Sequence, residues 1–216
     1  MISKLSKDMP GLLKRPVSWE ELPLPKPGLM CDGRVPTETE CVGLWNYYKV
    51  PEHIRRHSEL VAAYAMHVGR QLAERGVKLD LDGLYASALL HDIAKMYCIE
   101  HGGSNAQVGA AWVVQKTRQH LLAQGVMFHV YWPWKVCFKS WPLPLILEYA
   151  DKRVKHDQLV GLDERFKDLM ERYGHDQRAK ANMHKIERQA EELERQLAEL
   201  YKVDVNADFT YSWRLV

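Results

Sequence analysis

The sequence lacks a net charge of one sign, because its 30 Lys and Arg residues nearly balance its 28 Asp and Glu residues and leave a formal net charge of +2. Without a strong overall field, we expect no binding to polymeric nucleic acid or to an anionic membrane. The chain also has no apolar run near the roughly 20 residues of a membrane span and no apolar stretch typical of a signal peptide at its start. We therefore expect a cytoplasmic protein with no membrane partner.

Two kinds of motif are also missing. The four cysteines lie far apart, at Cys31, Cys41, Cys98 and Cys137, so no pair has the close spacing of a zinc finger or a redox site. The chain contains no glycine-rich phosphate loop and no internal repeat. We expect free thiols. Since the chain has 216 residues, we expect one domain of ordinary size with room for an appendage.

Proline is concentrated near the N-terminus, where residues 1–36 hold six of the ten prolines. Each proline restricts its own φ and biases the preceding residue away from the helix, which predicts an extended arm over 1–36. Helical patterns follow. We expect a helical domain over 37–175, a long amphipathic helix over 176–202 and a short C-terminal tail over 203–216.

Capping residues and apolar periodicity place the helices of the central domain. Caps are predicted at Thr37, at Asp80 or Asp82, and at Ser104 or Asn105. Helices are predicted from Pro51 to about Ala73, through His91, from near Thr117 to His129 and after Pro144. Residues 98–104 are predicted to form a loop.

Two segments each have two interpretations. From Ala179 to Leu200 apolar residues recur at alternating four and three residue steps, which is typical of a helix docked on its own domain or of a coiled coil between two chains. A homodimer through this helix is therefore one of two hypotheses. The aromatic stretch from Tyr131 to Trp134 is either a proline-stiffened loop that packs its rings on the core or a wall that stacks a substrate.

Polar side chains interrupt the apolar faces of the predicted helices. His91, Asp92 and Lys95 share one side of an otherwise apolar helical run. His57 and Asp151 fall on the apolar faces of two other helices. Each has an ordinary explanation by itself, such as a core histidine bonded to a carbonyl. Burying them all unpaired would cost roughly 2–7 kcal/mol per polar group, so a compensating partner is needed.

A bound metal is that partner in our interpretation. Two imidazoles and two carboxylates suit a divalent transition metal such as Mn, Fe, Ni, Co or Zn, and Mg is an alternative. We predict that His57, His91, Asp92 and Asp151 bind one such ion together.

The order of these residues resembles that of the HD superfamily of metal-dependent phosphohydrolases, whose pattern is one His, a His-Asp pair and a distant Asp. The matching motifs are Val50-Pro-Glu-His-Ile-Arg-Arg-His57, Leu90-His91-Asp92-Ile-Ala-Lys95 and Tyr149-Ala-Asp151, within roughly residues 50–160. The resemblance implies an all-α HD-domain helical bundle with the metal at its centre, and it does not cover the N-terminal arm or the long C-terminal helix. It also implies hydrolysis of a phosphate ester or anhydride, often in a nucleotide.

Members of the superfamily with two metals have further histidines between the His-Asp pair and the last Asp. The positions that match them are Asn105 and His129. Since Asn is a poor ligand for a transition metal, a second metal site is incomplete here unless His101 or His120 substitutes. We take His129, His101 and Asn105 as candidates for binding a second metal or the substrate.

The residues around the motif suggest catalytic roles. Asp92 could bind the metal and orient the attacking water, and Lys95 could neutralise charge on the phosphate oxygens. Arg56 or Arg153 could do the same from neighbouring helices. These arginines, like Arg55 and Lys152, could equally belong to solvated helix faces.

We therefore expect an enzyme that hydrolyses a small phosphorylated metabolite, with a nucleotide as the expected substrate. The alternative is a catalytically weak or inactive sensor that binds metal or nucleotide and signals through its C-terminal helix. The intact motif and Lys95 favour the enzyme, whereas Asn105 and the coiled-coil-like helix favour the sensor.

Overall fold

The computed structural model describes residues 33–206. Their helices follow in the order α1 (Glu38–Tyr47), α2 (Glu52–Glu74), α3 (Leu81–Leu90), α4 (Lys95–His101), α5 (Asn105–Thr117), α6 (His120–Phe128), α7 (Pro142–Lys152), α8 (Leu162–Tyr173) and α9 (Gln177–Arg195). A π-helical turn, Gln196–Leu200, extends α9. Between α7 and α8, the two-residue strands β1 (Val154–Lys155) and β2 (Gln158–Leu159) form an antiparallel hairpin. The predicted all-α fold is confirmed.

Side-chain caps fix the starts of three helices, as the sequence predicts. Thr37 and Glu40 form a reciprocal capping box at α1. Asp80 accepts a hydrogen bond from the Gly83 N–H at 2.9 Å and begins α3. Ser104 accepts one from the Gln107 N–H at the start of α5. Each cap satisfies a backbone donor that the first turn of a helix leaves unpaired.

The long helix α2 lies at the centre of the packing, against α3 and α7. Its apolar stripe is buried, as the periodicity predicts. Gly69 lets α3 approach closely, because a Cβ at this position would meet the Leu84 Cδ2 atom at 2.7 Å. Residues from α2, α3 and α7 therefore meet in one interior region.

The His-Asp pair is not inside a continuous helix, and this part of the prediction is wrong. The helix α3 ends at Leu90, and α4 begins only at Lys95. Between them the backbone turns through short bonds from the Ile93 N–H to the Leu90 carbonyl, at 3.1 Å, and from the Lys95 N–H to the Asp92 carbonyl, at 3.0 Å. The tight turn places both side chains of the pair in the buried interior.

The predicted loop over 98–104 is right only for residues 102–104, since residues up to His101 belong to α4. The chain leaves the helix at Gly102 and Gly103, where φ is +79° and +101°. Residues with a Cβ rarely adopt such values, so the helix ends where the glycines begin. The residues before the glycines are under no such backbone restriction, so the helix continues to His101.

The helix α9 docks on its own domain through its C-terminal half. Ala190, Leu193 and Leu197 are fully buried in the core. The Gln189 side chain both donates to the Trp132 carbonyl and accepts from the Trp132 N–H, at 2.6 and 2.8 Å. These contacts support the docked-helix interpretation. The homodimer stays a prediction.

The aromatic stretch belongs to the core. Trp132 is fully buried and packs against Trp134 and Trp141, with ring centroids 4.7 and 5.5 Å apart. This arrangement favours a packed loop over a substrate wall.

Other expectations are met only over part of the chain. Cys41, Cys98 and Cys137 are free thiols, and Cys31 lies outside the described residues. The predicted arm over 1–36 and tail over 203–216 also lie largely outside them, and the division of the chain into four parts stays a prediction. Within residues 33–206, no helix is long and apolar enough to cross a membrane.

Candidate metal centre

Three elements bring the four predicted ligands together. His57 comes from α2, His91 and Asp92 from the turn after α3, and Asp151 from the end of α7. The Asp151 Oδ1 atom lies 3.1 Å from His57 Nε2 and 3.7 Å from His91 Nε2. The Asp92 Oδ2 atom lies 3.6 Å from His91 Nε2 and 4.0 Å from His57 Nε2. All four side chains are buried.

Backbone carbonyls orient both imidazoles. The Nδ1 atom of His91 lies 2.7 Å from the Ala88 carbonyl oxygen, and that of His57 lies 2.9 Å from the His156 carbonyl oxygen at the turn of the β1–β2 hairpin. A carbonyl only accepts, so Nδ1 carries the proton and donates it. In the neutral ring Nε2 therefore presents a lone pair.

These lone pairs face acceptors, which makes the centre incomplete without a cation. His91 Nε2 is buried and has no hydrogen-bond partner among residues 33–206. His57 Nε2 lies 3.1 Å from a carboxylate oxygen. A lone pair set against a carboxylate is repulsive unless a proton or a metal stands between them. Histidines held through Nδ1 with Nε2 converging on carboxylates are the usual arrangement at a metal, so these residues fit a divalent ion.

The carboxylates of the centre are held in their charged form. Burial acts to raise the pKa of Asp92, but the charges of His91 and Lys95 outweigh it and lower the pKa. Burial also acts to raise the pKa of Asp151, but Lys152, the two histidines and Arg165 together outweigh it and hold the pKa well below its usual value. Burial acts to lower the pKa of His91, yet Asp92 and Asp151 raise it above its usual value. The centre thus favours positive charge between its two carboxylates.

Lys95 and Asn105 fix the two oxygens of Asp92. The Lys95 Nζ atom donates to Oδ2 at 2.6 Å, and the Asn105 Nδ2 atom donates to Oδ1 at 2.7 Å. Lys95 is partly exposed, and its side chain lines the cavity beside the centre. Asn105 thus serves Asp92 as a donor, while its own Oδ1 atom is buried without a hydrogen-bond partner among the described residues and lies in the lining of the same cavity. Its part in binding a second metal or the substrate stays a prediction.

Of the other two candidates for binding a second metal or the substrate, one lies inside the site and one lies outside it. His129 is buried, its ring centroid lies 5.0 Å from that of His91, and its Nε2 atom lies 3.8 Å from Asp92 Oδ1. Burial and the neighbouring His91 lower the pKa of His129 to about 4, which keeps its ring neutral. His101 is exposed at the end of α4 and packs edge-on against Tyr97, 4.6 Å away between ring centroids. The geometry supports His129 only.

The contacts of Arg153 give no support to its assignment to a substrate phosphate, which stays a prediction. Its guanidinium is buried and hydrogen-bonds to an array of tertiary partners: Tyr64, Tyr149, Val160, Glu194, Val205 and Asn206. Arg153 therefore joins α7 to α2, to α9 and to the chain after α9. Arg56 is exposed, pairs with Glu52 on its own helix and does not line the cavity beside the centre. Its role stays a prediction without geometric support.

Two further cations, which are not among the predicted site residues, reach the site. The Lys152 Nζ atom lies 2.8 Å from Asp151 Oδ2 and donates to the His129 carbonyl at 3.0 Å. Arg165 of α8 is buried, with Nη2 3.8 Å from Asp151 Oδ1. The sequence does contain a signal that Lys152 is buried. Because α7 is apolar along Leu143–Leu147, it is expected to be buried on every side, and a lysine on such a helix has no solvated face. No local pattern marks Arg165.

A cavity of about 410 Å³ opens beside the centre. Its charged lining consists of Asp92, Asp151, Lys95, Lys152 and Arg165, three cations against two carboxylates. A divalent ion would add two further positive charges. The cavity is therefore suited to an anionic ligand.

Comparison with known proteins places this geometry in a family. Residues 53–157 match the family model of the HD domain, and this span includes the four predicted ligands, Lys95, Asn105 and His129. This part of the chain is an HD domain, as the resemblance predicts. Proteins with this domain are generally metal-dependent phosphohydrolases and bind divalent metals. Searches among curated proteins and among solved structures found no match.

Proposed function

We propose that the protein is a metal-dependent phosphohydrolase that cleaves a phosphate ester or anhydride of a small metabolite, with a nucleotide as substrate. The observation that carries this proposal is a buried centre of converging Nε2 atoms and carboxylates that opens into a cavity with excess positive charge. An anion that enters this cavity meets the centre and the cations together.

Each residue of the site would have a separate role in the reaction. His57, His91, Asp92 and Asp151 would hold the ion. When bound, a divalent ion supplies Lewis acidity, which lowers the pKa of water and polarises a phosphoryl oxygen. Asp92, fixed by Lys95 and Asn105, would orient the attacking water. The Lys95 ammonium would neutralise charge that grows on the phosphate oxygens.

The rival function is a catalytically weak sensor of metal or nucleotide. One observation favours it, because the Asn105 amide occupies Asp92 Oδ1, the oxygen nearest to His129. A sensor would bind ligand in the same cavity without turnover.

A substrate screen separates the two functions. Purified protein is incubated with Mn, Ni, Co or Mg and a panel of nucleotides and phosphate esters, and released phosphate and nucleoside are measured. We expect hydrolysis of at least one nucleotide, and none by a His91→Ala variant under the same conditions. Equal product from parent and variant would assign the activity to a contaminant, and no product with any metal would leave the sensor as the better account.

A further inference from the structure

The cavity beside the metal centre has a second wall of different chemistry. Besides the charged residues, it is lined by six largely apolar side chains from four segments of the chain, which we call the apolar rim: Ile99, Val130, Leu169, Tyr173, Met183 and Ile186. Four of the six come from α8 and α9, which lie beyond the residues matched by the HD family model.

Half of the apolar rim is exposed to solvent, and the other half is partly buried. Ile99, Val130 and Tyr173 are 69%, 41% and 49% exposed. Large apolar side chains exposed at one mouth of a polar cavity mark a surface that a ligand covers. Since they share the cavity with the cations, the ligand that covers them has a charged end and an apolar end.

Arg165 of α8 completes the charged wall from the same side. Its side chain is only 9% exposed, and its Nε atom has no hydrogen-bond partner among the described residues. The Nη1 atom contacts Asp168 at 3.4 Å, and Nη2 stands 3.8 Å from Asp151 Oδ1, too far for a good hydrogen bond. A buried guanidinium with unused donors beside an anion site is suited to bind phosphate oxygens in a fork.

We propose that α8 and α9 form the substrate-recognition half of the site. Arg165 binds the phosphoryl group, and the apolar rim binds a planar or apolar group attached to it. The proposal rests on the proposed function for the presence of a phosphoryl group. The volume of about 410 Å³ is at the lower end of the range for small-molecule sites, so the ligand is of mononucleotide size or smaller.

Binding of phenylphosphonate and methylphosphonate to the full chain, purified with its metal, tests this proposal by calorimetry. The two ligands carry the same anionic group, differ only in the apolar group, and have a carbon–phosphorus bond that a phosphohydrolase does not cleave. We expect phenylphosphonate to bind at least about fivefold more tightly, because its ring removes apolar surface from water at the rim. Equal affinities, or no binding of phenylphosphonate, would overturn the proposal.

Two pairs of variants assign the effect to residues. Tyr173→Ser should abolish most of the preference and leave methylphosphonate affinity unchanged, whereas Tyr47→Ser, at an exposed tyrosine of α1, should change neither. Arg165→Gln should weaken both ligands at least about tenfold, the scale of a lost bond to a charged group, with partial rescue in Arg165→Lys. Arg188→Gln, at an exposed arginine of α9, is the control.

Unchanged affinities in Arg165→Gln, or a preference that survives Tyr173→Ser, would refute the roles of these residues. Melting temperatures of all variants identify any loss of affinity that comes from unfolding. Because hydrolysis is not measured, a protein that shows the preference but no turnover retains this proposal and refutes only the proposed function.

Discussion

The buried carboxyl group of Glu148 makes stability depend on pH in a direction that can be calculated. Glu148 lies on α7, one turn before Asp151, and is fully buried. Neither of its oxygens has a hydrogen-bond partner among residues 33–206. Burial raises its pKa from 4.5 to about 8, although the charge of Lys152 acts in the opposite direction. At neutral pH the folded protein therefore holds a proton that the unfolded chain releases.

The difference between the pKa of Glu148 in the folded and the unfolded chain sets the direction in which the free energy of unfolding changes with pH. Below pH 4.5 the group is protonated in both states, and its ionisation costs the fold nothing. Between pH 4.5 and about 8 the unfolded chain loses the proton first, so the free energy of unfolding falls as pH rises, by up to about 1.4 kcal/mol per pH unit. From pH 5 to 7.5 the summed loss is about 3 kcal/mol, and above pH 8 it levels off.

Glu148→Gln isolates this contribution, since the amide has nearly the same shape and does not titrate. Urea unfolding of parent and variant, followed by tryptophan fluorescence at several pH values, gives the difference between their free energies of unfolding. We expect the parent to lose about 3 kcal/mol relative to the variant between pH 5 and 7.5. Glu191→Gln, at an exposed glutamate of α9, should give no such trend. A constant difference for Glu148→Gln would mean that the group is ionised beside Lys152, and the reasoning would be refuted.

Two further predictions concern Lys95 and the long helix. Lys95→Met should lower turnover on the order of 10²-fold or more, because it removes a preorganised cation. It should also lower the melting temperature, since it leaves the buried Asp92 carboxylate without the donor that lies 2.6 Å away. Turnover at the parental rate in the folded variant would show that Lys95 does not act on the phosphate. Leu193→Ala should lower the free energy of unfolding by about 2–5 kcal/mol, since Leu193 is fully buried. For the parent protein, we expect light scattering to give the mass of one chain. A mass of two chains would instead support the homodimer hypothesis.

Much of the fold could be predicted because its signals are local. Thr37, Asp80 and Ser104 cap helices by bonding to backbone groups a few residues ahead, so the sequence carries both partners of each interaction. The stripe from Ile54 to Leu72 places α2 for the same reason. The His-Asp pair, in contrast, continues the apolar pattern of α3, and nothing in the periodicity shows that the chain turns at residues 91–94.

The parts of the site that could not be predicted depend on distant segments. Arg153 has the expected charge and follows the last motif closely, but Glu194 and the Val205 carbonyl, both far along the chain, take its guanidinium away from the cavity. Arg165 reaches the centre only because α8 folds back beside α7. The spacing between Asp151 and Arg165 in the sequence does not predict this contact. The four proposed metal ligands could be predicted as a family motif, whereas the cations around them follow from tertiary packing.

Metal content tests the central claim most directly. Protein purified without a chelator is analysed for bound elements, together with His91→Ala, Asp92→Ala and a control, His184→Ala, at an exposed histidine of α9. The geometry of His57, His91, Asp92 and Asp151 predicts about one equivalent of a divalent metal in the parent and the control, and much less in the other two variants. The metal centre would be contradicted if the parent protein contained none of the divalent metals analysed. It would also be contradicted if the His91→Ala protein had the same metal content as the parent.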